Sequence, residues 1–208
     1  MTIASQIKSY LPYRVRARLG ALRRSLSSDP RDELLRLLPK NSIGAEIGVW
    51  KGEFSARILN VVRPKELHLI DPWKFEAGEQ YENAYYGAGS RGQGGQSGMD
   101  RVYEDVVAKF AGQSSVRIHR KPSTDVDLPD NYLDWAYIDG NHLYEFVKAD
   151  IAFYTRKVKP GGFILGDDYM DTDWWKDGVK RAVDEASASG PLVLRSITAT
   201  QYVFRKPA

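Results

Sequence analysis

The sequence predicts an α/β domain built on a doubly wound, mostly parallel sheet that closes with an antiparallel hairpin. Three observations predict it. Short apolar runs alternate with amphipathic stretches of helical period from about residue 44 to residue 187, the pattern of strands joined by crossover helices. One run, LDWAYID (133–139), is almost continuously apolar, as strands buried on both faces are. The last two apolar runs, PLVLRSI (191–197) and TQYVFRK (200–206), lie too close together for a crossover and read as a hairpin.

The elements follow in order. In SDPRDELLRLLPK (28–40), Ser28 or Asp29 is cap-like, Pro30 stands at a first-turn position, and Pro39 stops a short amphipathic helix. GAEIGV (44–49) reads as a buried strand, FSARILNVV (54–62) as a helix and ELHLID (66–71) as a second strand. Residues 76–100 are rich in Gly, Ser, Gln and Tyr without periodicity and read as a mobile loop or lid. RVYEDVVAKFAG (101–112) is a helix ended by glycine, and VRIHRK (116–121) is a strand. After the strand 133–139, HLYEFVKADIAFYTRKV (142–158) is a helix with Val147, Ile151, Tyr154 and Val158 on one stripe. KPGG (159–162) reads as a turn, FILGDD (163–168) as a strand and WWKDGVKRAVDEAS (174–187) as a helix.

With 208 residues, 42% hydrophobic and 27% charged, the chain has the composition of a soluble globular domain with a full core. No apolar run is long enough to span a bilayer and no signal-peptide pattern is present, so a cytoplasmic protein is expected. The absence of cysteine excludes disulfides, thiolate metal sites and a cysteine nucleophile. Charge is unevenly spread. Residues 1–28 carry six of the 30 basic groups and no acid, which leaves 24 basic against 27 acidic groups in the remainder. The body therefore lacks the basic footprint of a nucleic-acid-binding domain. Leu11, Val15, Leu19, Leu22 and Leu26 give this arm one apolar helical face, suited to packing in a homodimer. Contact with an anionic membrane surface is the less favoured alternative. Two units are expected: a basic amphipathic arm over 1–30 and the α/β domain over 31–208.

The stretch AEIGVWKGEFS (45–55) is a glycine-bearing turn between strand and helix, the place where open α/β sheets bind ligands. Asp71 follows Gly52 by 19 residues, a spacing that suits a carboxylate accepting bonds from ribose hydroxyls. The turn is E-x-G-x-x-x-G rather than G-x-G-x-x-G, and Glu46 would repel a pyrophosphate while suiting a ligand that carries ammonium and sulfonium charge. A nicotinamide-dependent oxidoreductase shares the sheet and the ribose acid and remains an alternative. A hydrolase would need a nucleophile elbow, which GQSGM (95–99) does not supply.

On these residues the sequence resembles the class I S-adenosylmethionine-dependent methyltransferases, with AEIGVWKGEFS similar to their first motif and HLIDPW to their second. YIDGNHLYEFVKADI, VKPGGFILGDDY and GVKRAVDEA resemble a bacterial subgroup related to macrocin-type and other sugar or natural-product O-methyltransferases. The resemblance implies a Rossmann-like seven-stranded sheet with a reversed hairpin, S-adenosyl-L-methionine as methyl donor and often a divalent cation. It places Glu46, Gly48, Gly52 and Ser55 at the methionine end of the donor and Asp71 at its ribose, with Trp73 and Ser123 as further neighbours.

Asp139 ends one expected strand, and Asp167 and Asp168 end the next. If those strands are neighbours, their ends lie about 5 Å apart, and three carboxylates crowd one edge. A hard cation relieves such crowding; oxygen ligands suit Mg²⁺, with Mn²⁺ or Ca²⁺ as rivals. Asp139, Asp167 and Asp168 are thus the expected metal ligands. His142, three residues after Asp139, is the expected general base for a hydroxyl acceptor; if Asp167 points away, Asp139 with His142 could act without metal. Tyr81, Tyr85, Tyr86, Trp174 and Trp175 are expected to flank the pocket and stack on a sugar or planar ring. The acceptor expected is a small molecule or oligosaccharide, a sugar or glycosylated natural product ahead of a catechol or phenol.

Overall fold

The computed structural model describes residues 30–89, 92–171 and 173–208; the expected arm over 1–30 lies, but for Pro30, outside the described residues. The elements run α1 (Pro30–Arg36), β1 (Ile43–Ile47), α2 (Glu53–Val61), β2 (Glu66–Asp71), α3 (Gln96–Phe110), β3 (Val116–Arg120), β4 (Leu133–Ile138), α4 (Tyr144–Lys157), β5 (Val158–Gly166), α5 (Gly178–Ser189), β6 (Val193–Thr198) and β7 (Gln201–Arg205), with single 3₁₀ turns at Glu79–Tyr81 and Ser123–Asp125. The strands form one seven-stranded sheet in the order β3-β2-β1-β4-β5-β7-β6. β1 to β5 are parallel to one another, and β7 lies antiparallel to both β5 and β6. The expected doubly wound sheet with its closing hairpin is therefore the observed fold.

The apolar pattern explains the layers. Every residue of β1 is buried, because helices cover both faces of the central strands. Leu67 and Leu69 of β2 and Trp135 and Tyr137 of β4 pack with α1, α2 and α3 on one face. Ala45, Ile47, Ala136 and Ile138 pack with α4 and α5 on the other. Complete burial of side chains such as Leu67 and Leu69 stabilises the fold by about 2 kcal/mol each. The indole of Trp135 is fully buried and donates Nε1–H to the Ser42 hydroxyl at 2.9 Å, so its one polar atom is satisfied. Among the described residues no helix is long and apolar enough to cross a membrane.

The structure departs from the sequence reading at four boundaries. KPGG is not a turn but part of β5; Gly161, at φ +75°, supports an irregular stretch where the β4–β5 register shifts between Leu133 and Trp135. Helix α3 starts at Gln96, not residue 101, because Gly98 and Met99 are buried and the Gln96 amide ties the helix start to Trp73 O and Asp100. Helix α4 starts at Tyr144, since the Asn141 side chain accepts the Leu143 amide and leaves Leu143 extended. Helix α5 starts at Gly178 after a turn in which Lys176, at φ 54°, donates its amide to Asp173 O. The sequence between β2 and α3 reads as a mobile loop or lid. Its described residues are folded, with Tyr81 and Ala84 buried and the Glu76 amide bonded to Tyr86 O.

Candidate active site

Strand order reverses between β1 and β4, and the carboxyl ends of the strands there open into a cleft of about 730 Å³. This is where open α/β sheets bind ligands, and the size takes a small-molecule cofactor and substrate.

The glycine turn is shaped by its neighbours. Gly48 has φ +88°, and a Cβ there would lie 2.0 Å from the Asp139 carbonyl oxygen. The parallel register sets Ile47 beside Ile138, so the exits of β1 and β4 run together and leave no room for a side chain. Gly52, at φ +68°, opens α2 against the Phe110 ring. Between these glycines the Val49 and Trp50 amides donate to Asp71 Oδ2 at 3.0 and 2.9 Å, and the Trp73 amide donates to Oδ1 at 2.7 Å. Asp71 lines the cleft, but it is first a tether that fixes the turn to β2. Three of a carboxylate's roughly four acceptor sites are taken, leaving about one for a ribose hydroxyl. Burial raises its pKa against the pull of those amides. Trp73 does not line the cleft. It is fully buried and donates Nε1–H to Trp50 O at 2.9 Å, so it is a core anchor, contrary to the sequence expectation.

Glu46 lies within β1 rather than in the turn, and 1% of its surface is exposed. Its Oε2 is buried without a hydrogen-bond partner, as is the hydroxyl of Ser55 on α2. Burial pushes the Glu46 carboxyl well above the usual range, opposed by the nearby Ser55 hydroxyl. An unpaired buried carboxyl oxygen is costly, and Glu46 lines the cleft while Ser55 does not. A ligand that places a donor there would relieve the cost. Ser123 lines the cleft farther along and donates to the Asp150 carboxyl.

At the other end of the cleft, Ile138 pairs with Gly166, so Asp139 and the Asp167–Asp168 pair leave the sheet side by side, as expected. One ligand atom each of Asp139, His142 and Asp168 lie within 4.8 Å of one another. His142 Nε2 is 3.3 Å from Asp139 Oδ1 and 3.4 Å from Asp168 Oδ2. His142 precedes the helix instead of beginning it, and its ring packs edge-on against Trp175 with centroids 4.6 Å apart. Burial lowers the imidazole's pKa, but the Asp139 hydrogen bond and the charges of Asp139, Asp168 and Asp167 outweigh it and hold the pKa above its ordinary value. Asp168 has φ 60°, a conformation that non-glycine residues adopt at a cost. Burial pushes its carboxyl up to about 6, opposed by His142.

Asp167 stands apart from this trio. Its carboxylate accepts the Thr200 hydroxyl at 2.5 Å and the Asp168 amide at 2.7 Å, and it pairs with the Arg31 guanidinium. These partners hold it below the usual carboxylate range despite burial. The structure thus replaces the expected Asp139–Asp167–Asp168 grouping with Asp139–His142–Asp168. Arg31, on α1, also lies 3.9 Å from Asp139 Oδ2 and over the Phe54 ring at 5.3 Å. Nothing in the sequence marked it, because its partner is a strand end far along the chain. Of the aromatics expected around the pocket, Tyr81, Tyr85 and Tyr86 line the cleft, while Trp174 and the buried Trp175 do not. Tyr81, Tyr86 and Trp174 contact one another, and Tyr85, 55% exposed, faces Trp50 with centroids 5.5 Å apart.

Comparison with known proteins adds the family. A family profile described as a methyltransferase domain matches residues 45–169. Among solved structures, the N-methyltransferase NodS from Bradyrhizobium japonicum WM9, in complex with S-adenosyl-L-homocysteine, superposes with a TM-score of 0.59 at 16% identity, over 88% of this chain and 91% of that one. A Corynebacterium glutamicum protein superposes with a TM-score of 0.58 at 19% identity, over 99% of this chain and 96% of that one. These likenesses show the fold. Among curated proteins, an uncharacterised protein (R132) of Acanthamoeba polyphaga mimivirus is 41% identical over 49 residues, 24% of this chain and 22% of that protein's length. The span matched by the profile takes in Glu46, the glycine turn, Asp71, Asp139, His142 and Asp168, and the chain belongs to the methyltransferase-domain family.

Proposed function

We propose that this protein is an S-adenosylmethionine-dependent O-methyltransferase that methylates a hydroxyl of a sugar or glycosylated natural product. One observation carries the reading: the Glu46 carboxyl, buried with an unpaired oxygen, and the Asp139–His142–Asp168 cluster line the same cleft. The residues fit the cofactor. Glu46 would take the ammonium of the methionine end, the remaining acceptor site on Asp71 a ribose hydroxyl, and Ser123 stands along the same wall. S-adenosylmethionine, when bound, supplies a methyl group already activated by its sulfonium sulfur.

The chain's own work is then binding, orientation and proton removal. Asp139 orients the His142 ring through Nε2. Asp139 and Asp168 stabilise the imidazolium, so His142 gains basicity and accepts the proton of the acceptor hydroxyl. Trp175 keeps the ring in place. Tyr85, exposed and lining the cleft beside the half-buried Trp50, offers an aromatic face of the kind that sugar rings stack on. A hydroxyl needs this base more than an amine does, which supports oxygen as the acceptor atom.

The mutual distances of Asp139, His142 and Asp168 favour a second reading. Two carboxylates and an imidazole in this arrangement fit a divalent cation such as Mg²⁺ or Mn²⁺. They would hold it with His142 as ligand, and the ion would polarise an acceptor oxygen.

The test is titration calorimetry with S-adenosylhomocysteine and NAD⁺, followed by methyl transfer from labelled S-adenosylmethionine to a panel of sugars, glycosides, catechols and amines. Binding of the homocysteine compound and labelling of sugar hydroxyls is the expected result. Labelling of amines or catechols alone would overturn the acceptor assignment. Activity that survives EDTA supports His142 as base, and activity restored only by a divalent ion supports the second reading.

A further inference from the structure

The closing hairpin reaches the site from behind. β6 and β7 are joined by the turn 199–200, where Ala199 has φ 54°. Thr200 does not line the cleft, yet it grips the exit of β5 twice. Its backbone oxygen accepts the Tyr169 amide at 2.9 Å, and its hydroxyl donates to Asp167 Oδ1 at 2.5 Å. Asp167 is 4% exposed and does not line the cleft either. Its Oδ1 also accepts the amide of the next residue, Asp168, at 2.7 Å, and its Oδ2 pairs with Arg31. A carboxylate is the side chain that can serve three such donors at once. Asp168, which these contacts surround, is the one of the two acids that faces the cleft.

The backbone of Asp168 is what they control. Its φ of 60° is left-handed, a region that aspartate reaches more readily than most residues but does not prefer. Peptide units are rigid planes, so the two soft torsions of a residue are set once the planes on either side of it are held. Both are held here. The Asp167 carboxylate fixes the plane before Asp168 through the Asp168 amide, and the Thr200 carbonyl fixes the plane after it through the Tyr169 amide. The result is read at the tip of the side chain, where Asp168 Oδ2 stands 3.4 Å from His142 Nε2. The direction of the Cα–Cβ bond turns with φ, so an extended Asp168 would aim its carboxylate elsewhere.

We propose that Asp167 is a positioning residue for proton removal by His142. Braced by Thr200 and Arg31, its carboxylate holds Asp168 in the left-handed conformation that aims the Asp168 carboxylate at the imidazole. The catalytic part of the inference rests on the methyl-transfer reading given above. The hairpin that closes the sheet is thereby part of the site.

The test compares two double variants of equal charge. Arg31→Met with Asp167→Asn keeps an oxygen for the Asp168 amide, and Arg31→Met with Asp167→Ala does not. Two things are measured on each: the φ of Asp168, from its ¹³C shifts and amide coupling in NMR spectra, and kcat beside KM for S-adenosylmethionine. The asparagine form is expected to keep φ positive. In the alanine form φ should leave the left-handed region and kcat should fall at least about tenfold below that of the asparagine form, as misplaced groups cost, with KM within about twofold. A positive φ in both forms would overturn the inference, and so would equal kcat in both. If the alanine form does not fold, Thr200→Ser against Thr200→Val makes the same comparison without a change of charge. The serine form should then match the wild-type φ and kcat and the valine form should not; identical behaviour of the two would overturn the inference. Absence of methyl transfer by the wild-type protein would overturn the proposed function and the catalytic role with it, while the φ comparison still decides whether Asp167 holds Asp168.

Discussion

The guanidinium of Arg31, in the first turn of α1, pairs with the buried carboxylate of Asp167, 136 residues away. The pair joins the helix that precedes the sheet to the exit of β5, directly behind the His142 cluster. It also explains why adjacent aspartates behave oppositely. Asp167 has Arg31, Thr200 and a backbone amide and is held below the usual range. Asp168 lacks such partners and is pushed up by burial, with the Asp139 charge adding to it and His142 opposing it.

Arg31→Met should therefore destabilise the protein by leaving a buried carboxylate short of a cation. Breaking a fully buried pair costs about 3–5 kcal/mol. The Arg31 side chain is 35% exposed, and solvent screening reduces the expected loss to about 1–2 kcal/mol. Asp167→Asn in the same background should recover part of it, because the two residues are coupled. Urea denaturation of the two single variants and the double variant checks this; strictly additive losses would show that the pair contributes no coupling.

That pair also shows what the sequence could and could not reveal. Strand alternation and the closing hairpin were legible because parallel strands must be apolar and crossovers must be long. The approach of Asp139 to Asp168 followed from strands that neighbour one another in the sheet. The partner of Asp167 did not follow, since a lone arginine in PRDELL carries no mark of its target. Trp73 was misplaced because an aromatic next to a cofactor motif reads alike whether it faces the ligand or the core. KPGG was misread because glycine and proline signal turns, and here they sit at an irregularity inside a strand. Glu46 was read both within the buried strand 44–49 and as the acid of the glycine turn, and the structure keeps it in the strand. That its carboxyl is left with an unpaired oxygen depends on the packing around it, which a local reading cannot sum.

Gly48→Ala should damage structure and site together. The new Cβ would meet the Asp139 carbonyl oxygen at 2.0 Å at a residue with φ +88°, so the exits of β1 and β4 must separate. A loss of at least about 2 kcal/mol is expected from strain and displacement, with activity reduced about 100-fold as Asp139 moves. Gly140→Ala is the control for stability. Its nearest neighbour would be 3.6 Å away, and thermal denaturation should show a loss under about 1 kcal/mol. Equal effects of the two substitutions would refute the close-approach argument.

His142→Ala should lower kcat by about 10²- to 10⁴-fold, the usual contribution of a positioned base. The affinity for S-adenosylhomocysteine should stay within about twofold, because the Glu46 end of the cleft is untouched. Asp139→Asn should lower kcat in the same way through the orientation of His142. Single-turnover kinetics and calorimetry on each variant separate the two quantities. A tenfold loss of cofactor affinity in His142→Ala would mean that the residue belongs to the binding wall and not to proton transfer.

Asp150 gives the protein a pH dependence whose sign can be worked out. Its carboxyl titrates near 3.8 when unperturbed and is pushed up to about 7 in the fold by burial. Between those values the folded state holds a proton that the unfolded state has released. Stability from this group is therefore complete below about pH 4, falls as pH rises toward 7, and is constant above it. A shift of this size corresponds to at most about 4 kcal/mol. Asp150→Asn cannot ionise, so the variant should lack this component and gain on the wild-type protein as pH rises. Urea denaturation of both proteins at pH 5 and pH 8 reads the difference between them, which cancels the titration of the other groups. A stability gap that does not change with pH would show that Asp150 is not held protonated by its surroundings.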